Sequence, residues 1–218
     1  YQVYTMHYVM EFVYRHITAT TLKFGQEGME AALDEAILIT DIPNLLLGVL
    51  CTMYPHGYEL TQPCTADISK CTEVFQGLIG LPKIGWVDVT RFTDSQRRHM
   101  ANRRSDSMTM ADVKAFQEQF PSQETSVVKL RSGINIVLEV PNMARYRDSG
   151  QRWVDAIETD TARSFGTNLQ GQAREEYMFN QAIISSLGAY SHWYKQIVIL
   201  GDNDDDQIIV DRVTLEAT

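Results

Sequence analysis

The sequence predicts an α+β fold, and three observations carry that reading. Apolar residues recur at helical spacing over residues 26–39 and again through much of the chain beyond Asn142. Runs of β-branched and aromatic residues bounded by turn residues lie between, most plainly on either side of Ser132-Gly133. Helices and strands do not alternate as βαβ units, so a doubly wound parallel sheet is disfavoured. The expected architecture is mixed helices with short antiparallel strands around a central cysteine-containing loop, then a mainly helical C-terminal half. Two regions follow from this, 1–124 and 125–218.

Taken in order, residues 1–5 read as a short strand. Residues 7–17 place Met10, Val13, Tyr14 and Ile17 at helical spacing, although alternation of Tyr4, Met6, Tyr8, Met10 and Phe12 equally supports one long strand. Residues 26–39 form a clearer helix, with Met29, Ala32, Leu33, Ala36 and Ile37 opposite Glu27, Glu30 and Asp34. Asp41 can cap the next helix, with Pro43 in its first turn where a missing N–H costs least. Pro55 and Gly57 end it, Gly57 with a positive φ that reverses the chain. Strands are expected at 58–61, 73–76 and 84–89.

Thr93 with Gln96 has capping-box spacing, and so has Thr109 with Asp112, whose helix carries Val113, Phe116 and Phe120 on its apolar side. Residues 126–130 and 134–140 read as a hairpin. Beyond Asn142, Tyr146, Trp153, Ile157, Tyr177, Ile183, Ile184, Leu187, Tyr190 and Trp193 predict two or three helices broken near Phe165-Gly166 and Gly188. The tail, 208–213, returns as a strand.

Composition narrows the function. With 218 residues, 44% hydrophobic and 22% charged, the chain can bury a proper core. A formal charge of −9 argues against a nucleic-acid backbone as partner. The most apolar run, 42–53, is broken by Pro43 and Gly48 and falls short of the ~20 residues that span a bilayer. Nothing resembles a signal peptide, and three cysteines make no disulfide framework and fit a reducing compartment.

Candidate chemistry is sparse. Cys64 and Cys71, with His56 and Cys51 upstream, are ligand types suited to zinc, but the six-residue spacer misses the usual close Cys pairs, so full-occupancy zinc is not expected. No other cofactor is implied. Asp202-Asn-Asp204-Asp-Asp206 begins like a calcium loop, but Gln207 and Val213 stand where glycine and glutamate belong, which leaves an acidic turn. No nucleophile elbow, phosphate loop or His-Glu-x-x-His is present. His192, before Trp193-Tyr194, is expected as a structural histidine at a helix surface. The basic cluster Arg97, Arg98, Arg103 and Arg104 has two readings: cations complementing a helix C-terminus, or forks that dock an acidic neighbour.

One stretch, roughly 3–104, resembles the hub-type baseplate proteins of large contractile-tailed (T-even-type) bacteriophages. The resemblance lies in Val3, Met6 and Glu11, the helix before Asp41, and the Asp41-led apolar helix running into Tyr54-Pro55-His56-Gly57. It continues through the pair Cys64/Cys71 to Gly85-Trp86-Val87-Asp88-Val89 and the helix holding Gln96. The C-terminal half has no counterpart, and tight Cys-x-x-Cys pairing is absent. The resemblance implies a non-catalytic structural subunit of the virion tail, assembled in the host cytoplasm and bound to other phage tail or baseplate proteins in a multi-subunit assembly, with no nucleic acid and no membrane span. Two other readings stand beside it: an assembly factor not retained in the virion, and a zinc enzyme or regulator built on Cys51, His56, Cys64 and Cys71.

Overall fold

A computed structural model describes residues 2–65, 72–85, 89–101, 107–119, 126–166, 170–186, 188–200 and 207–211. The fold is α+β. In chain order the elements are α1 (Gln2–Arg15), α2 (Gly28–Ala36), α3 (Ile42–Met53), β1 (Tyr58–Pro63), β2 (Val74–Ile79), α4 (Asp94–Ala101) and α5 (Met110–Gln117). Then come β3 (Ser126–Lys129), β4 (Ile134–Leu138), α6 (Met143–Phe165), α7 (Gly171–Ile184), β5 (Tyr194–Leu200) and β6 (Gln207–Asp211). β1 and β2 form an antiparallel pair, and β3-β4-β5-β6 form a four-stranded antiparallel sheet.

Contacts divide the chain into two compact units: residues 1–8, 21–40 and 106–218, and residues 9–20 and 41–105. This differs from consecutive regions 1–124 and 125–218, because the 21–40 segment is tied to the C-terminal half. Lys23 N–H donates to Met108 O at 2.8 Å and Met143 N–H to Ile37 O at 2.9 Å.

In the larger unit, α6 buries Met143, Tyr146, Ser149, Gly150, Val154, Ile157 and Thr161. Their spacing is that of one helix face, and each large apolar side chain buried contributes about 1.5–3 kcal/mol. Asn142 caps α6 by accepting from Arg145 N–H at 2.9 Å. α2 packs on α6, and its buried Asp34 pairs with Arg147 at 2.6 Å. α7 contributes Met178 and Ala182 to a cluster with Ile157 and Trp153. The Trp153 indole donates to Ser185 O and Oγ, each at 3.0 Å. α5 begins with a complete capping box, as Thr109 and Asp112 predict.

The smaller unit is built differently. Gln96 is buried, and its amide oxygen accepts from Thr93 N–H at 2.8 Å while Gln96 N–H donates to Thr93 Oγ1 at 3.2 Å, the predicted box before α4. Gly57 has φ +108° and donates to Tyr54 O at 3.0 Å, turning the chain from α3 into β1. Gly85 lies against Leu47, whose Cδ2 would be 2.8 Å from a Cβ there.

Four expectations need correction. Residues 2–5 are the first turn of α1 and not a strand, because the 3.6-residue pattern that follows simply extends backwards. No strand forms at 84–89 in its described part: Ile84 ends one 3-10 turn and Val89 starts another, after Pro82 has removed a ladder donor. β5 was not foreseen; its run Ile197-Val198-Ile199-Leu200 follows directly on a 3-10 turn, Gly188–Trp193. His192 is buried in that turn, its ring 4.7 Å from Tyr146, and not at a helix surface. The predicted 126–140 hairpin and the tail strand, as far as Asp211, are present. Residues 202–206 and Phe120 lie outside the described residues.

Candidate partner-binding surface

α3 is the most apolar of the described helices by sequence, Ile-Pro-Asn-Leu-Leu-Leu-Gly-Val-Leu-Cys-Thr-Met, yet Ile42 is its one buried residue. Leu45, Leu46, Leu47 and Val49 are half-buried, and Leu50 and Met53 are exposed. A helix apolar on most sides is normally covered on most sides. The exposed strip continues through Tyr54 and Tyr58, whose rings meet edge to face at 5.2 Å and join the end of α3 to β1.

The β1–β2 hairpin is open on both of its faces, Tyr58 and Phe75 lying on one and Val74 and Leu78 on the other. No residue of either strand is buried, and Val74, Phe75 and Leu78 are 52%, 63% and 64% exposed. An isolated two-stranded ribbon is marginally stable in water, and exposed aliphatic and aromatic side chains on one are the composition typical of an interaction surface. Sequence reasoning placed these strands but missed their exposure. The available signal was the uncharged run Val74-Phe-Gln-Gly-Leu-Ile, which has no second sheet in the sequence around it to pack against.

Of the predicted partner-binding residues, Arg97 and Arg98 are exposed on α4, while Arg103 and Arg104 lie outside the described residues. Arg97 donates to Thr90 O at 3.4 Å and Arg98 to Asp94 O at 3.3 Å, carbonyls on the N-terminal side. Neither has an acidic side-chain partner among the described residues. Both guanidiniums thus reach towards carbonyls that precede them in the chain and not towards the last carbonyls of α4.

Of the predicted metal ligands, Cys51, His56 and Cys64 are described and do not form a cluster of three. Cys51 is half-buried on α3, His56 is exposed in the turn, Cys64 follows β1, and Cys71 lies outside the described residues. Among the described residues no three His, Cys, Asp or Glu side chains converge on a point that could hold a metal. In the larger unit, a cleft of about 480 Å³ runs between α2 and α6, with the Asp34–Arg147 pair in its wall beside Lys23, Glu35 and Asp148. Its buried carboxylate, Asp34, is held in an ion pair by the half-exposed Arg147.

No protein-family model, curated protein or solved structure matches the chain. No helix among the described residues is long and apolar enough to cross a membrane.

Proposed function

We propose that this chain is a non-catalytic structural subunit of a contractile-tail baseplate, holding neighbouring tail proteins through the exposed apolar side chains of α3 and of the β1–β2 hairpin and through Arg97 and Arg98 of α4. The observation that carries the reading is α3: twelve residues, half of them leucine, valine or methionine, with Ile42 alone buried. Burying its leucines against a neighbour would recover about 25 cal/mol for each Å² removed from water. The arginines supply the polar part, since forked cations meet carboxylates bidentately. The residues that resemble baseplate proteins, 3–104, include all of these side chains. An acidic chain of net charge −9 suits protein neighbours over nucleic acid, and the site of action would be the virion tail.

Two paired variants test it: Leu50→Lys with Met53→Lys, and Arg97→Glu with Arg98→Glu. Each alters exposed side chains, so the isolated protein should keep its circular dichroism spectrum. Both should be excluded from purified particles, because unmatched or like charges across an interface cost several kcal/mol. Normal incorporation of both would overturn the reading.

A further inference from the structure

The two edges of the β1–β2 hairpin are built differently. Cys64 N–H donates to Glu73 O at 2.9 Å, and these residues face each other in register. Bonded and non-bonded pairs alternate along an antiparallel ladder. The pairs Gln62–Phe75, Leu60–Gly77 and Tyr58–Ile79 therefore bond inward, while Pro63–Val74, Thr61–Gln76 and Glu59–Leu78 direct their N–H and C=O groups outward. On β1 that outer edge carries Pro63, which has no N–H, and the charge of Glu59. Both are devices that discourage strand addition. On β2 it carries Val74, Gln76 and Leu78, with neither charge nor proline anywhere from Val74 to Ile79. Among the described residues this sheet stops at two strands.

We infer that the outer edge of β2 pairs antiparallel with β2 of a second copy of this chain, making a continuous four-stranded sheet about a two-fold axis at Gln76. The occupant follows from the edge's self-complementarity. An axis at Gln76 brings each outward-bonding residue against another: Val74 meets Leu78 of the second copy, and Gln76 meets Gln76. That register forms about six backbone hydrogen bonds. On one face the exposed Val74 and Leu78 cover each other. On the other, Phe75 faces Gly77 of the second copy, so the bulkiest side chain of the strand meets the one residue with none. Within its own strand the Phe75 ring already lies over Gly77, where a Cβ would sit 2.8 Å from it. Glu73 comes opposite Ile79, so no like charges oppose each other in a chain of net charge −9. The inference deepens the reading above, which takes the hairpin as an interface, by naming the occupant of one edge.

Gln76 gives a clean test, because its backbone groups point away from β1 and its side chain is exposed. The chain should be a dimer by light scattering at about 100 µM, the concentration range of weak specific pairing. Gln76→Lys and Gln76→Glu should each place like charges on the axis and weaken dimerisation about 100-fold. Mixing the two variants should restore a mixed dimer, since lysine then faces glutamate. A monomeric wild-type chain, a dimer indifferent to both substitutions, or variants that stay monomeric when mixed would each overturn the inference. A wild-type monomer that still enters particles would leave the structural-subunit reading standing. A dimer absent from particles would do the reverse.

Discussion

Gly57→Ala probes the joint on which the exposed surface hangs. Gly57 sits at φ +108°, where a side chain adds backbone strain of about 1–3 kcal/mol. A Cβ would also lie 2.9 Å from Ile79 O and 3.0 Å from Leu78 Cγ. The carbonyl belongs to the β1–β2 ladder and has little room to yield, so a further ~1 kcal/mol is expected from overpacking. The expected loss is therefore about 2–4 kcal/mol. Gly48, in α3 of the same unit, supplies the contrast, since a Cβ there meets nothing within 4 Å. Gly48→Ala should stabilise by roughly 0.5–1 kcal/mol through helix propensity. In urea, followed by circular dichroism, the Gly57 variant should lose roughly 1–2 M in midpoint, and the Gly48 variant should gain a few tenths. An unchanged midpoint for Gly57→Ala, or the same sign for both, would refute the turn geometry.

Two further outcomes concern the larger unit. Hydrogen bonds from the Thr109 hydroxyl and backbone N–H hold the Asp112 carboxyl below its ordinary value of 3.8. A depressed pKa means the box contributes above the ordinary value and is lost as pH falls through the folded-state value, below 3.8. An NMR titration should place Asp112 low in the wild type and nearer the ordinary value in Thr109→Val; identical curves would contradict this. Trp153→Phe removes the donor to Ser185 O and Oγ and should cost about 1–2 kcal/mol by thermal unfolding, whereas an unchanged transition would show the indole contact to be idle.

Much of the local structure was legible because it rests on short-range chemistry. Thr109/Asp112 and Thr93/Gln96 state their helix starts three residues apart, Gly57 marks a backbone only glycine enters easily, and Ser132-Gly133 closes a hairpin between β-branched runs. The errors lie where two periods compete or where tertiary contacts decide. Tyr4 to Phe12 fits a strand as well as a helix, and the helix won. Ile183 and Ile184 have core spacing, yet they are 57% and 77% exposed because α7 turns Met178 and Ala182 towards α6. The candidate surface was only half legible. Arg97 and Arg98 stand out as a basic pair in an acidic chain, but exposure of α3 and β2 is a property of what the rest of the chain fails to cover. Sequence periodicity cannot report that.

The central claim, that this chain is a structural tail subunit, is tested most directly by quantitative mass spectrometry of purified, salt-washed contractile-tailed particles from its source. The account predicts this chain in a fixed ratio to the other tail proteins. Its presence in the cell but absence from finished particles would contradict the account and point to an assembly factor.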